Sequence, residues 1–126
     1  MKVQINTVNA PAAVGPYSQA IKKGNLLFVS GQLPLVPETG EMHQGSIKEC
    51  TLQSLNNLKA IITEAGATLD DVVKTTVFLA DIADGPAANQ VYGEFFNEPY
   101  PARSAFQVAA LPLGASIEIE AIVVLD

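Results

Sequence analysis

The run Ser116-Ile117-Glu118-Ile119-Glu120-Ala121-Ile122-Val123-Val124-Leu125 sets the strongest limit on how this chain can fold. Side chains alternate strictly along a strand, so Glu118 and Glu120 share a face with Ile122 and Val124, and that face is polar at one end and apolar at the other. The second half of the run is apolar on both faces, as is Leu26-Leu27-Phe28-Val29. Strands of this kind belong to a sheet that is covered on both sides. At 126 residues and 48% hydrophobic, the chain is expected to form one domain over residues 1–126 with a core of its own. It contains no linker, repeat or low-complexity stretch.

Around those two strands the remaining elements follow from local signals. Lys2–Asn6 reads as a short edge strand, and Pro11, Gly15 and Pro16 keep the next segment irregular. Tyr17 opens a hairpin with arms Ser18–Lys22 and Leu26–Ser30 joined by Lys23-Gly24-Asn25, and Gly31 ends the second arm. Prolines and glycines mark Gln32 to Gly45 as a loop, after which Ser46-Ile47-Lys48-Glu49 fits a capping box. The helix that follows should run from Ile47 to about Ala65, with Leu55, Leu58 and Ile62 on its apolar stripe and Gly66 as its C′ residue. Val72–Leu79, rich in β-branched residues, is a strand, and it completes a parallel strand–helix–strand crossover. Asp84 can cap a second helix whose buried face is Ala88, Val91, Tyr92, Phe95 and Phe96, with Asn89 at its edge. Arg103–Ala109 and Ser116–Leu125 then read as a second hairpin across Leu111-Pro112-Leu113-Gly114. The order β-β-β-α-β-α-β-β predicts an α+β fold, one mixed sheet with both helices on one face. The uncovered apolar face is expected to be buried against further copies of the chain, in a closed homo-oligomer with sites in the clefts between subunits.

Charge narrows the function classes. The net charge is −6 and there is no basic patch, so the long-range field repels phosphate backbones and nucleic acid is not an expected partner. No stretch has the length of a membrane span and the N-terminus lacks an apolar signal core, so the expectation is a soluble, cytoplasmic protein. One cysteine, Cys50, and one histidine, His43, argue against a disulfide and against a dedicated metal site. Cys50 lies near the apolar stripe of the first helix as a buried, inert thiol.

The only arginine, Arg103, lies where the proline-stiffened Tyr100-Pro101-Ala102 gives way to a strand. Its guanidinium is a rigid fork that fits a carboxylate bidentately, and its apolar flanks suggest a partly desolvated charge in need of a partner. In the hairpin read above, Glu120 would sit directly across from Arg103. Such a pair serves equally as a structural cross-strand ion pair and as an anchor with a carboxylate beside it.

Several motifs, in this order, resemble the RidA (YjgF) family of enamine/imine deaminases. They are Gly15-Pro16-Tyr17-Ser18-Gln19-Ala20, Ser30-Gly31-Gln32-Leu33-Pro34, Thr39-Gly40-Glu41, Asn89 with Val91-Tyr92 and Phe95-Phe96, Pro101-Ala102-Arg103-Ser104, and Ile117-Glu118-Ile119-Glu120-Ala121. The resemblance implies a chorismate-mutase-like homotrimer that needs no cofactor. It also implies hydrolysis of reactive 2-imino acids such as 2-iminobutanoate and 2-iminopropanoate, or their enamine tautomers, to 2-keto acids and ammonia. It puts the carboxylate anchor on Arg103, the water-activating carboxylate on Glu120, and cleft-lining positions on Tyr17, Ser30, Gly31 and Asn89. Where the family often has a reactive cysteine this chain has Ala105, whose backbone N–H can still donate to a substrate. Two other classes use the same residues: a non-catalytic keto-acid-binding or regulatory protein, and a translation inhibitor with ribonuclease activity. The acidic balance and the lack of a histidine near the site oppose the latter.

Overall fold

In a computed structural model that describes residues 1–126, the chain runs β1 (Val3–Ile5), β2 (Ala20–Lys23), β3 (Leu26–Gln32), α1 (Ile47–Glu64), β4 (Val72–Leu79), α2 (Gly85–Phe95), β5 (Ala102–Gln107) and β6 (Ile117–Val124). The strands make one six-stranded mixed sheet in the order β1-β2-β3-β6-β4-β5. Every neighbouring pair is antiparallel except β4 with β5. Both helices pack on one face, as expected from the element order.

The local signals act where they were read. Gly24, at φ +60, turns the β2–β3 hairpin. Ser46 Oγ accepts from the Glu49 N–H at 3.2 Å, and Gly66, at φ +86, follows the last turn of α1. Leu55, Leu58, Ile61 and Ile62 of α1 are buried against Leu27, Val29, Ile117, Ile119 and Val123 of the sheet. Asp84 stands at the N-cap position of α2 without a side-chain cap; Asp81 caps the preceding turn instead, accepting from the Ala83 N–H at 2.9 Å. No helix is long and apolar enough to cross a membrane.

The second hairpin is not formed. β5 pairs only with β4, in parallel, and β6 lies between β3 and β4, so the segment after β5 carries the chain across β4. The physical reason is burial. β6 alternates Ile117, Ile119, Ala121 and Val123 at 3% exposure or less, which makes it a central strand, whereas all six residues of β5 are exposed and suit an edge. The crossover from β3 through α1 to β4 survives, but with β6 inserted between the two parallel strands.

The face away from the helices is open. Phe28 and Leu26 on β3 are 46% and 39% exposed, and Ile122 is paired with Phe28 across β6. Further along the same face, beyond Thr76 and Glu120, Phe78 and Phe106 stack edge-to-face at 5.4 Å. Exposed apolar side chains in this number on one sheet face are unusual on a monomer, and a second copy is expected to cover them. The protein is therefore expected to run as a trimer in a mass measurement, and Phe28→Glu, which places a charge in that face, is expected to run as a folded monomer. A parent protein that is itself a stable monomer would remove both the assembly and any cleft between subunits.

Candidate active site

A bulge in β3 builds one half of the site. Val29 pairs with Ala121 and Gln32 with Ile119, a one-residue slip that leaves Ser30 and Gly31 beside Glu120 and Glu118 of β6. Gly31 does not end the strand; it sits inside this irregularity, and a Cβ there would come within 2.8 Å of the Glu118 carboxyl. That close approach leaves the Glu118 carboxyl in its place only when residue 31 has no side chain. A cavity of about 630 Å³ opens here, lined by Tyr17, Ser30, Gly31, Glu118 and Glu120 on its polar side and by Pro11, Val14, Leu33 and Leu113 among others on its apolar side.

Hydrogen bonds decide what each group can still offer. Ser30 Oγ donates to the Ser18 carbonyl at 2.6 Å, so toward the cavity it can only accept. Tyr17 Oη accepts a long bond from the Val14 N–H at 3.4 Å, which leaves its own hydrogen free to donate. Glu118 is half-buried, and burial first, then the negative charge of Glu120, push its carboxyl above the ordinary value of 4.5. Glu120 is exposed. The walls are held by buried amides. Gln19 accepts from the Thr7 N–H at 2.7 Å and donates to the carbonyls of Thr7 and Pro11 at 3.0 and 2.9 Å, and Asn57 donates to those of Leu33 and Leu35 at 3.1 and 2.9 Å.

Arg103 belongs to a second cavity, of about 440 Å³, lined by Asn89, Tyr92, Gly93, Tyr100 and Pro101. Its Nη1 donates to Asn89 Oδ1 at 2.6 Å, and its Cζ lies 4.8 Å from the centre of the Tyr92 ring. The partners anticipated for a lone arginine are thus an amide oxygen and an aromatic face, although the side chain is exposed rather than desolvated. Ala105 follows on the same edge strand, also exposed.

The two halves do not meet within one chain. Arg103 pairs with Thr75, which is buried beneath Tyr92 on the helix side, while Glu120 pairs with the next residue, Thr76, on the open side. Arg103 and Glu120 therefore occupy opposite faces of the sheet with β4 between them, and the direct cross-strand pair expected from the hairpin register does not exist. Tyr17, Ser30, Gly31 and Glu120 are brought together, Asn89 and Arg103 are brought together, and the groups are separate. Glu118 was not singled out by sequence reasoning. Strand alternation put it on the same face as Glu120, but its depth depends on the bulge. No set of three or more His, Cys, Asp or Glu side chains is placed to hold a metal ion.

The family model described as Endoribonuclease L-PSP matches residues 7–125. The chain belongs to this family, the RidA (YjgF) family. The RidA-family chain is 52% identical over 98% of its length to Reactive Intermediate Deaminase A, chloroplastic, of Arabidopsis thaliana, 66% of which is covered. It is 45% identical to the 2-iminobutanoate/2-iminopropanoate deaminase of Homo sapiens, over 95% of this chain and 88% of that one. The crystal structure of RidA from the Antarctic bacterium Psychrobacter superposes with a TM-score of 0.94 at 50% identity, covering 98% of this chain and 99% of that one.

The bulge makes its own prediction for this RidA-family chain. In Gly31→Ala the new Cβ must displace the flexible Glu118 carboxyl rather than backbone, so the fold should hold within about 1 kcal/mol while any activity that depends on Glu118 falls at least about tenfold. Thermal melting and turnover on the same preparation read both.

Proposed function

We propose that this chain is an imine deaminase that hydrolyses 2-imino acids to 2-keto acids and ammonia in clefts completed by a second copy of itself. The observation that carries the reading is the half-buried Glu118 carboxyl, raised in pKa and cradled by Gly31 beside Tyr17 and Ser30. A base poised nearer to neutrality is the kind that proton transfer favours. The names of the relatives, both deaminases of reactive intermediates, support the same chemistry.

In this mechanism Arg103 of one copy holds the substrate carboxylate through its free N–H groups, and the neighbouring copy presents Glu118 to the imine carbon. Glu118 takes a proton from water as the water oxygen adds to that carbon and passes it to the imine nitrogen, which gives a neutral carbinolamine. Glu118 then takes the hydroxyl proton as the C=O bond forms and delivers it to the nitrogen as the C–N bond breaks, so ammonia leaves and Glu118 is again a carboxylate. Tyr17 can donate to the oxygen or nitrogen, and Ser30 can accept from the water. The role that the resemblance placed on Glu120 is assigned to Glu118, because Glu118 is the buried one of the pair. Glu120 acts through its charge. Ribonuclease chemistry has less support: the chain is acidic, and His43 bonds Glu49 at 3.4 Å and lines neither cavity.

Ammonia release from freshly generated 2-iminobutanoate and 2-iminopropanoate is the direct test. Keto-acid binding without turnover would instead leave a binding protein. Glu118→Gln is expected to lower kcat by about a hundredfold or more, the usual effect of removing a positioned base. The pH profile separates the two glutamates. Activity needs ionised Glu118, so it falls as pH drops through the raised pKa of that group. Glu120→Gln removes the like charge that helps raise it, so this variant stays active and its acid limb moves to lower pH. Arg103→Lys keeps the charge but loses the fork, and kcat/KM is expected to fall at least about a hundredfold with assembly intact.

A further inference from the structure

The anchor stands on an edge strand that has no partner on its outer side, yet its guanidinium is held in one place. An unsupported arginine side chain samples many rotamers, and fixing it on a ligand costs rotamer entropy. Two contacts restrain Arg103 in advance. One is the 2.6 Å bond to Asn89 Oδ1, which fixes a single nitrogen. The other is the Tyr92 ring, whose centre lies 4.8 Å from Cζ and whose negative face attracts the charge of the whole group. Tyr92 is itself fixed. It is 6% exposed, packs on Phe96 with ring centres 4.7 Å apart, and shares a 2.6 Å hydrogen bond with the Thr75 hydroxyl, which is fully buried. Thr75 is the residue of β4 that pairs with Arg103 across the parallel ladder. The chain of support therefore closes on itself, from β4 through α2 to β5 and back.

We propose that Tyr92 is a positioning residue, an aromatic platform locked by Thr75 that pre-sets the plane and direction of the Arg103 guanidinium for bidentate capture of a substrate carboxylate. The hydrogen bond of the guanidinium goes to Asn89, so the ring restrains the fork through its charge and leaves the other N–H groups to a ligand. Burial pushes the Tyr92 phenol up, which keeps it neutral and its hydroxyl shared with Thr75 rather than turned into a counter-ion for Arg103. A platform of this kind acts on the carboxylate in the ground state and the transition state alike. Its loss should therefore raise KM and leave kcat alone.

The inference rests on the anchoring role proposed for Arg103, and the test separates the two. Tyr92 is replaced by phenylalanine, and in a second preparation by pentafluorophenylalanine, which keeps the ring but reverses the charge distribution of its face. KM for 2-iminobutanoate hydrolysis and Kd for 2-oxobutanoate by calorimetry are measured on both. Tyr92→Phe, which loses the bond to Thr75 but keeps the ring face, is expected to raise both constants about threefold, and the fluorinated ring to raise them about tenfold beyond that, with kcat within about threefold of the parent in both. Equal KM and Kd for the two rings would overturn the proposal, as would a loss confined to kcat. If neither aromatic variant folds, Thr75→Val, which keeps the volume and removes only the lock, is expected to raise KM about threefold; a parent value would overturn the proposal. Arg103→Lys in the same assays identifies which idea has failed: if it too leaves KM and Kd unchanged, the anchor is wrong, and if it alone changes them, only the platform is.

Discussion

The place of β6 in the middle of the sheet is the constraint on which the rest of this structure depends. Its odd-numbered residues, Ile117 to Val123, lie under α1 at 3% exposure or less and tie the core together. Its even-numbered residues face the opposite way, so Glu118 and Glu120 are delivered to the open side by the same alternation that buries the isoleucines. Moving either carboxylate to the helix side would require a one-residue slip that exposes the whole apolar row. Fold and site are thus fixed by one register, and the bulge at Ser30 and Gly31 adjusts it locally, giving Glu118 its depth.

The electrostatics of this arrangement are short-ranged by necessity. A chain of net charge −6 does not attract an anionic substrate from a distance, and at physiological ionic strength charges beyond about 8 Å are largely screened. In the proposed reading, recognition of a carboxylate then falls to the single guanidinium and its orientation. A second anion near Glu118 and Glu120 would be repelled, and the raised pKa of Glu118 is the response of one member of that pair to burial and to its neighbour.

What could be read from the sequence was what local chemistry decides. The capping of α1 by Ser46, its end at Gly66, the limits of β4, the buried stripe of α2 with Asn89 at its edge, and the β2–β3 turn at Gly24 all depend on residues close to one another in the chain. The pairing of β5 and β6 could not be read this way, because nearness in sequence favours a hairpin and only the competition for the interior position between β3 and β4 excludes it. The same non-locality hid Glu118, whose depth is set by a bulge in another strand. It also hid Gln19 and Asn57, polar residues buried because the carbonyls of distant loops need donors. The chemistry of Arg103 was legible as that of a candidate carboxylate anchor, but its separation from Glu120 was not.

That separation bears on why assembly and chemistry belong together in the proposed reading. In a single chain Arg103 and Glu120 are exposed, so water competes for every hydrogen bond they make and their charges act at high dielectric. Glu118 pairs across the sheet with Phe78, which stacks on Phe106, and Glu120 stands two residues before Ile122 on the same face. The carboxylates therefore border the apolar surface that a second copy is expected to cover. Burying that surface would dry the cleft, strengthen the grip of a guanidinium brought from the neighbouring edge strand, and bring the two faces of the sheet into one site, which no rearrangement of a lone chain can do without breaking the register of β6.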